Sequence, residues 1–112
     1  EVLHGDYTQE PARVAVSAYL NSGKRPDAIF GLNILITLGS LEAMRHHGLN
    51  RSDIELFSID QVPYAGFFGD PIPCISHNTY ELGLTAINML MDKIDNRLHV
   101  SADVTVKGEL RR

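Results

Sequence analysis

Two strand-length stretches, Ala28-Ile29-Phe30-Gly31-Leu32 and Ile54-Glu55-Leu56-Phe57-Ser58-Ile59, flank a segment with a different period. In that segment Leu35, Leu38, Leu41 and Met44 recur at helical spacing, Asn33 can cap the start and Gly48 closes the end. Strand, helix, strand in that order leaves no hairpin turn between the strands. The second strand must return beside the first by a crossover, which is the unit of a parallel sheet covered by helices. The rest of the chain repeats the scheme. Thr8 can cap a helix through its hydroxyl, with Glu10 and Pro11 in the first turn, Ala12, Ala15, Val16, Tyr19 and Leu20 on one face, and Gly23 as the stop. Thr79 can cap another over 79–96, with Leu82, Ala86, Ile87, Leu90 and Ile94 on one face. Residues 1–4 read as extended, with Val2-Leu3 like the middle of a strand; Ile72 to Ser76 is short and extended; and Val104-Thr105-Val106 with Leu110 suggests a last strand. The expected fold class is α/β: three layers, a mainly parallel sheet and helices on both faces.

With 112 residues the chain has room for one domain. Its net charge is −4 with only ten Lys and Arg, a poor composition for gripping nucleic acid, where affinity comes from neutralised phosphates. No apolar run reaches the ~20 residues of a membrane-spanning helix. Cys74 is the single cysteine, so neither an internal disulfide nor a cysteine metal cluster is available. His46 and His47 are adjacent rather than one turn apart, so they cannot chelate together, and a helix C-terminal turn suits both. The glycine-rich phosphate cradles and the G-x-S-x-G nucleophile elbow are missing. Nothing assembles a nucleophile, base and oxyanion hole. We expect no catalytic residues, no metal and no cofactor.

Ligands of open α/β sheets sit outside the carboxyl ends of the strands. The residues at those ends are Asp6 and Tyr7, Asn33, Asp60 and His77. An aromatic ring, an amide, a carboxylate and an imidazole suit a neutral polyol: hydroxyls pair with the polar groups and the ring covers an apolar sugar face. Each residue also has a plain structural reading. Asn33 could cap a helix, Asp60 a turn, Tyr7 could cover a helix start, and His77 alone is more often structural.

The order of these residues resembles the lactose-repressor (LacI/GalR) family. The landmarks are Pro26-Asp27-Ala28-Ile29-Phe30 followed by Asn33, then Leu38-Gly39-Ser40-Leu41 and Gly48-Leu49. Asp53-Ile54 leading to Ser58-Ile59-Asp60 and Pro63 follows, then Pro71, Ile75, Leu82-Gly83, Ala86 and Leu90, and the ending Gly108-Glu109-Leu110-Arg111-Arg112. The resemblance covers nearly the whole chain. It implies a fold similar to periplasmic sugar-binding proteins, in which two lobes close on a small effector.

By that resemblance residues 1–112 form a single partial effector-binding domain, without the N-terminal helix-turn-helix and the first lobe. Tyr7 falls where the family stacks an aromatic on the effector, Asn33 on its effector-binding asparagine, and Asp60 on the aspartate that accepts from ligand hydroxyls. His77 falls at a hinge crossing. Ile34 and Gln61 stand where the family has a second carboxylate after each of Asn33 and Asp60. Phe67 and Phe68, in a glycine-flanked loop, are expected at a subunit interface. The helix at 79–96 is expected to fold back onto the half-sheet or to pack against, or exchange with, a second copy. The implied protein is a cytoplasmic, homodimeric, non-catalytic repressor with a sugar or sugar-derived effector and no membrane contact. Operator DNA would be reached only through the N-terminal domain, and half a cleft would hold sugar weakly. A piece of a periplasmic sugar-binding protein of a transport system is the alternative.

Overall fold

The structure, a computed structural model, describes residues 1–63, 71–95 and 103–112. In chain order the elements are α1 (Gln9–Asn21), β1 (Ala28–Gly31), α2 (Ile34–His46), β2 (Glu55–Ile59), β3 (Cys74–Ser76), α3 (Thr79–Ile94) and β4 (Glu109–Arg111). The strands form one sheet in the order β1-β2-β3-β4. β1 pairs with β2 and β2 with β3, both in parallel, so the crossover expected from the sequence is present. The register sets Gly31 beside Ser58 and Ser58 beside Cys74. The chain divides into two units, Glu1–Ile75 with Leu110–Arg112, and Ser76–Glu109.

In the first unit the alternation of each strand selects its inner face. Ile54, Leu56 and Ser58 are buried while Glu55 is exposed. Two clusters fill that side. Val16 and Leu20 of α1 meet Ala43 and Met44 of α2 over Ile54. Leu41, Leu56, Val62 and Ile72 make the second, and Ile29 touches both. Each of the fully buried Leu20, Met44, Ile54 and Leu56 contributes roughly 1.5–3 kcal/mol of transfer free energy.

The buried stripe of α2 differs from the expected one. Leu41 and Met44 are buried as expected, but Leu35 is 44% exposed, and Thr37, Gly39, Ser40 and Ala43 are buried as well. The cause is the close approach of α1. A Cβ on Gly39 would lie 2.2 Å from the Gln9 carbonyl oxygen and 2.9 Å from the Arg13 nitrogen. Gly39 fits there because the backbone of α1 leaves no room for a side chain.

Residues 1–4 also depart from expectation. Val2 and Leu3 are exposed and join no strand, because they have no ladder partner. They form one wall of a cavity of about 430 Å³, whose other walls include Val16, Ile29 and Phe30. Lys24 Nζ, 3.0 Å from a carboxylate oxygen of Glu1, ties the segment down.

In the second unit α3 starts one residue earlier in its capping than expected: Asn78, not Thr79, is the cap, its side chain accepting from the Glu81 N–H at 3.1 Å. No residue of α3 is buried. Its exposed apolar residues occur on more than one side of it (Leu82, Leu84, Ile87, Leu90, Met91). The last strand, Glu109–Arg111, contains the expected Leu110 but does not extend to Val104–Val106. Among the described residues no helix is long and apolar enough to cross a membrane.

Candidate functional site

The site is built from the turn before α1. Asp6 Oδ1 accepts from the Thr8 N–H at 3.1 Å and also from the Thr8 hydroxyl, closing a local turn around Tyr7. Those bonds favour the ionised carboxyl, so the Thr8 hydroxyl holds Asp6 below its ordinary value of 3.8. They also correct the expected role of Thr8. It occupies the cap position of α1, but its hydroxyl is turned back to Asp6 and makes no bond to the helix.

At the centre of this turn Tyr7 has φ 66°, in the left-handed region, where a bulky non-glycine residue is an outlier costing on the order of 1–2 kcal/mol. The residue is 66% exposed. The carbonyl of Tyr7 accepts from Asn33 Nδ2 at 3.0 Å, a bond from the start of α2 that fixes the strained turn to the end of β1. Asn33 meanwhile caps α2: its Oδ1 accepts from the Ile36 N–H at 2.7 Å.

Asp60, directly after β2, is the other described non-glycine residue in the left-handed region, again with φ 66°. Its N–H donates to the Ile75 carbonyl at 2.8 Å, which extends the β2–β3 ladder one residue past the strand. The next side chain, Gln61, accepts from Arg111 Nη1 of β4 at 3.3 Å. A carboxylate at that position would form an ion pair instead; Gln61 leaves a hydrogen bond between a cation and a neutral amide.

Tyr7, Asn33 and Asp60 are thus brought to the carboxyl edge of the parallel strands of one unit. His77 follows Ser76 in the second unit, where it is exposed and adjoins the cap of α3. Phe67 and Phe68 lie outside the described residues. His47 behaves as a helix-terminal residue: Nδ1 lies 2.8 Å from the Ala43 carbonyl and Nε2 lies 3.0 Å from Asn21 Oδ1. Cys74 is buried as a small apolar side chain.

Thr37 and Ser58, both fully buried, escaped the sequence reading. Their hydroxyls lie 2.9 Å apart beneath the site. The signal was present: Ser58 is the third inward position of an alternating strand whose other two are Ile54 and Leu56. A hydroxyl in that place asks for a partner.

The exposed Tyr7, the Asn33 bound to its carbonyl and the left-handed Asp60 are thus the polar and aromatic residues at this edge. Residues 2–112 match the periplasmic binding protein-like domain. The chain belongs to that family. Within it, the likeness is to the effector domains of LacI/GalR regulators. The HTH-type transcriptional repressor PurR of Salmonella arizonae is 31% identical over 110 residues, 97% of this chain and 32% of the relative. A LacI family transcriptional regulator from an Arthrobacter species, solved in complex with lactose, superposes with a TM-score of 0.81 at 23% identity, over 94% of this chain and 41% of that one. The Lac repressor dimer bound to operator and an anti-inducer gives 0.84 at 22% identity, over 96% of this chain and 38% of that one. This periplasmic-binding-protein-like chain spans about a third of the length of its curated relatives.

Proposed function

We propose that this chain is the effector-binding and dimerisation region of a sugar-responsive, cytoplasmic transcriptional repressor of the LacI type, without catalytic activity. The observation that carries the reading is the pair of left-handed residues, Tyr7 and Asp60, held at one sheet edge with Asn33 between them in the fold. Strain of this kind persists where the surrounding structure enforces it, and it gathers at binding sites. A sugar's apolar face would rest on Tyr7, while its hydroxyls would pair with Asn33 and donate to Asp60. The relatives support the class: a repressor by name, a regulator holding lactose, and a dimer on its operator. They favour a repressor over a transport protein.

His77 would be a further ligand-binding residue, and Phe67 and Phe68 would contribute to a homodimer. Operator DNA would be contacted outside this acidic chain, through a helix-turn-helix of the kind named in the relatives. Effector binding would act by preferring one of two forms of the protein, and the shift is set by its differential affinity for them.

The test is made in the full protein with Asn33→Ala and Asp60→Ala. Calorimetry against a panel of mono- and disaccharides, beside operator binding followed by fluorescence anisotropy, should show weakened sugar binding with operator binding retained. Sugar affinity unchanged in both variants would remove the site assignment.

A further inference from the structure

Beneath the three site residues runs a short chain of buried hydroxyls. Thr37 Oγ1 lies 2.8 Å from the Asn33 carbonyl and 2.9 Å from Ser58 Oγ, and Ser58 Oγ lies 2.9 Å from the Ile59 carbonyl. The Ile59 carbonyl belongs to the peptide that leads into the left-handed Asp60. That peptide is held from both sides, by Ser58 at its oxygen and by the Ile75 carbonyl at the Asp60 N–H, 2.8 Å away. At the other end, the residue whose carbonyl faces Thr37 is the one whose side chain grips Tyr7. Space for the link is reserved by Gly31, the ladder partner of Ser58: a Cβ there would lie 2.1 Å from Thr37 Oγ1.

Two hydroxyls carry two protons for these three contacts, so only two are hydrogen bonds at once. Three arrangements satisfy both donors: Thr37 to the Asn33 carbonyl with Ser58 to Thr37, Thr37 to Ser58 with Ser58 to the Ile59 carbonyl, or each hydroxyl to its own carbonyl. The first two join the hydroxyls by a hydrogen bond, and the third leaves them in contact without one. In every case the two hydroxyls fill the space between the start of α2 and the end of β2.

We infer that Thr37 and Ser58 are positioning residues for the effector site, setting the Ile59–Asp60 peptide and the start of α2 in mutual register so that Asp60 and Asn33 meet one ligand together. The inference rests on the effector-site reading above. Neither residue touches the ligand; each acts through a carbonyl of a residue that does, or of its neighbour.

The test uses the full protein carrying the double substitution Thr37→Val with Ser58→Ala, and separately Thr37→Ser. Removing both partners for apolar groups of similar shape leaves no orphaned hydroxyl, so the unfolding midpoint should stay close to that of the parent. Sugar affinity by calorimetry should nonetheless weaken about tenfold, because a misplaced binding group costs on that order, and Thr37→Ser should restore it. Affinity within twofold of the parent in the double variant would overturn the proposal. Should the double variant not fold, Ser58→Ala alone takes its place with the same readout. If no sugar of the panel binds the parent, the effector reading fails, and the crystal structure of the variant decides the brace by itself. Asp60 leaving the left-handed region supports it; Asp60 staying there with the Ile59–Asp60 peptide unmoved overturns it.

Discussion

Gly39 lies against the backbone of α1, which makes Gly39→Ala the sharpest test of how α1 and α2 pack. The added methyl would begin 2.2 Å from the Gln9 carbonyl oxygen, 2.9 Å from the Arg13 nitrogen and 3.0 Å from Ala12 Cβ. To reach ordinary contact, α1 would have to retreat by about 1 Å, since two of the three obstacles are main-chain atoms and cannot rotate aside. That retreat opens the cluster of Val16, Leu20, Ala43 and Met44. Overpacking of this kind costs about 1–3 kcal/mol, and a backbone obstacle belongs at the upper end. Alanine's helix preference over glycine offsets about 1 kcal/mol. The net expectation is a loss of about 2 kcal/mol, on the order of 10 °C in the unfolding midpoint of a domain this size.

Gly83→Ala is the matched control. It lies inside α3, and a Cβ there meets nothing within 4 Å. Only the helix preference remains, so this variant should gain up to about 1 kcal/mol. Urea and thermal unfolding of both variants in the full protein, followed by far-ultraviolet circular dichroism, would give the comparison. If Gly39→Ala matched or exceeded the stability of Gly83→Ala, the close packing of α1 on α2 would be wrong.

Two further outcomes follow from the site. Replacing Tyr7 or Asp60 by glycine relieves a left-handed backbone at φ 66°, so each variant should gain roughly 1 kcal/mol of stability while losing sugar affinity; a loss of stability in both would refute the strain. The Asp6 carboxyl is held low by Thr8, so its stabilising contribution is complete above its ordinary value and disappears as the pH falls through its folded value. Carboxyl titration by nuclear magnetic resonance should show the turn around Tyr7 loosening only below about pH 4, and Thr8→Val should move Asp6 back up toward 3.8.

The alternation of strand and helix stretches was enough to read the parallel sheet and the helices, because period and turn residues are local properties. What escaped was set by neighbours distant in sequence. Leu35 has the right spacing for the core, yet α1 approaches the adjacent face through Gly39 and leaves Leu35 outside. Thr8 has the right chemistry for a cap, but Asp6 two residues earlier competes for its hydroxyl and wins. Val2 and Leu3 have strand character, and a strand is a property of a pair. Tyr7, Asn33 and Asp60 were legible as an edge because the carboxyl ends of parallel strands converge. Their strain was not legible, since neither tyrosine nor aspartate announces a positive φ.

Asn33 shows why the choice between capping and binding was wrongly framed at the level of sequence. A carboxamide offers two N–H donors and two acceptor lone pairs. The α2 cap uses one lone pair and the Tyr7 carbonyl takes one N–H, so one of each is left over. The two structural bonds leave that donor and lone pair open, and in the proposed function they would orient the amide for the ligand. An asparagine free to rotate would lose side-chain entropy on gripping a hydroxyl, whereas this one has already lost it in folding. Aspartate could cap α2 equally well, but its carboxylate would face the Tyr7 carbonyl with no proton to donate. Serine could cap as well, but it is too short to span both partners. The position therefore asks for a residue that accepts on one side and donates on the other, and among good helix caps only asparagine does both.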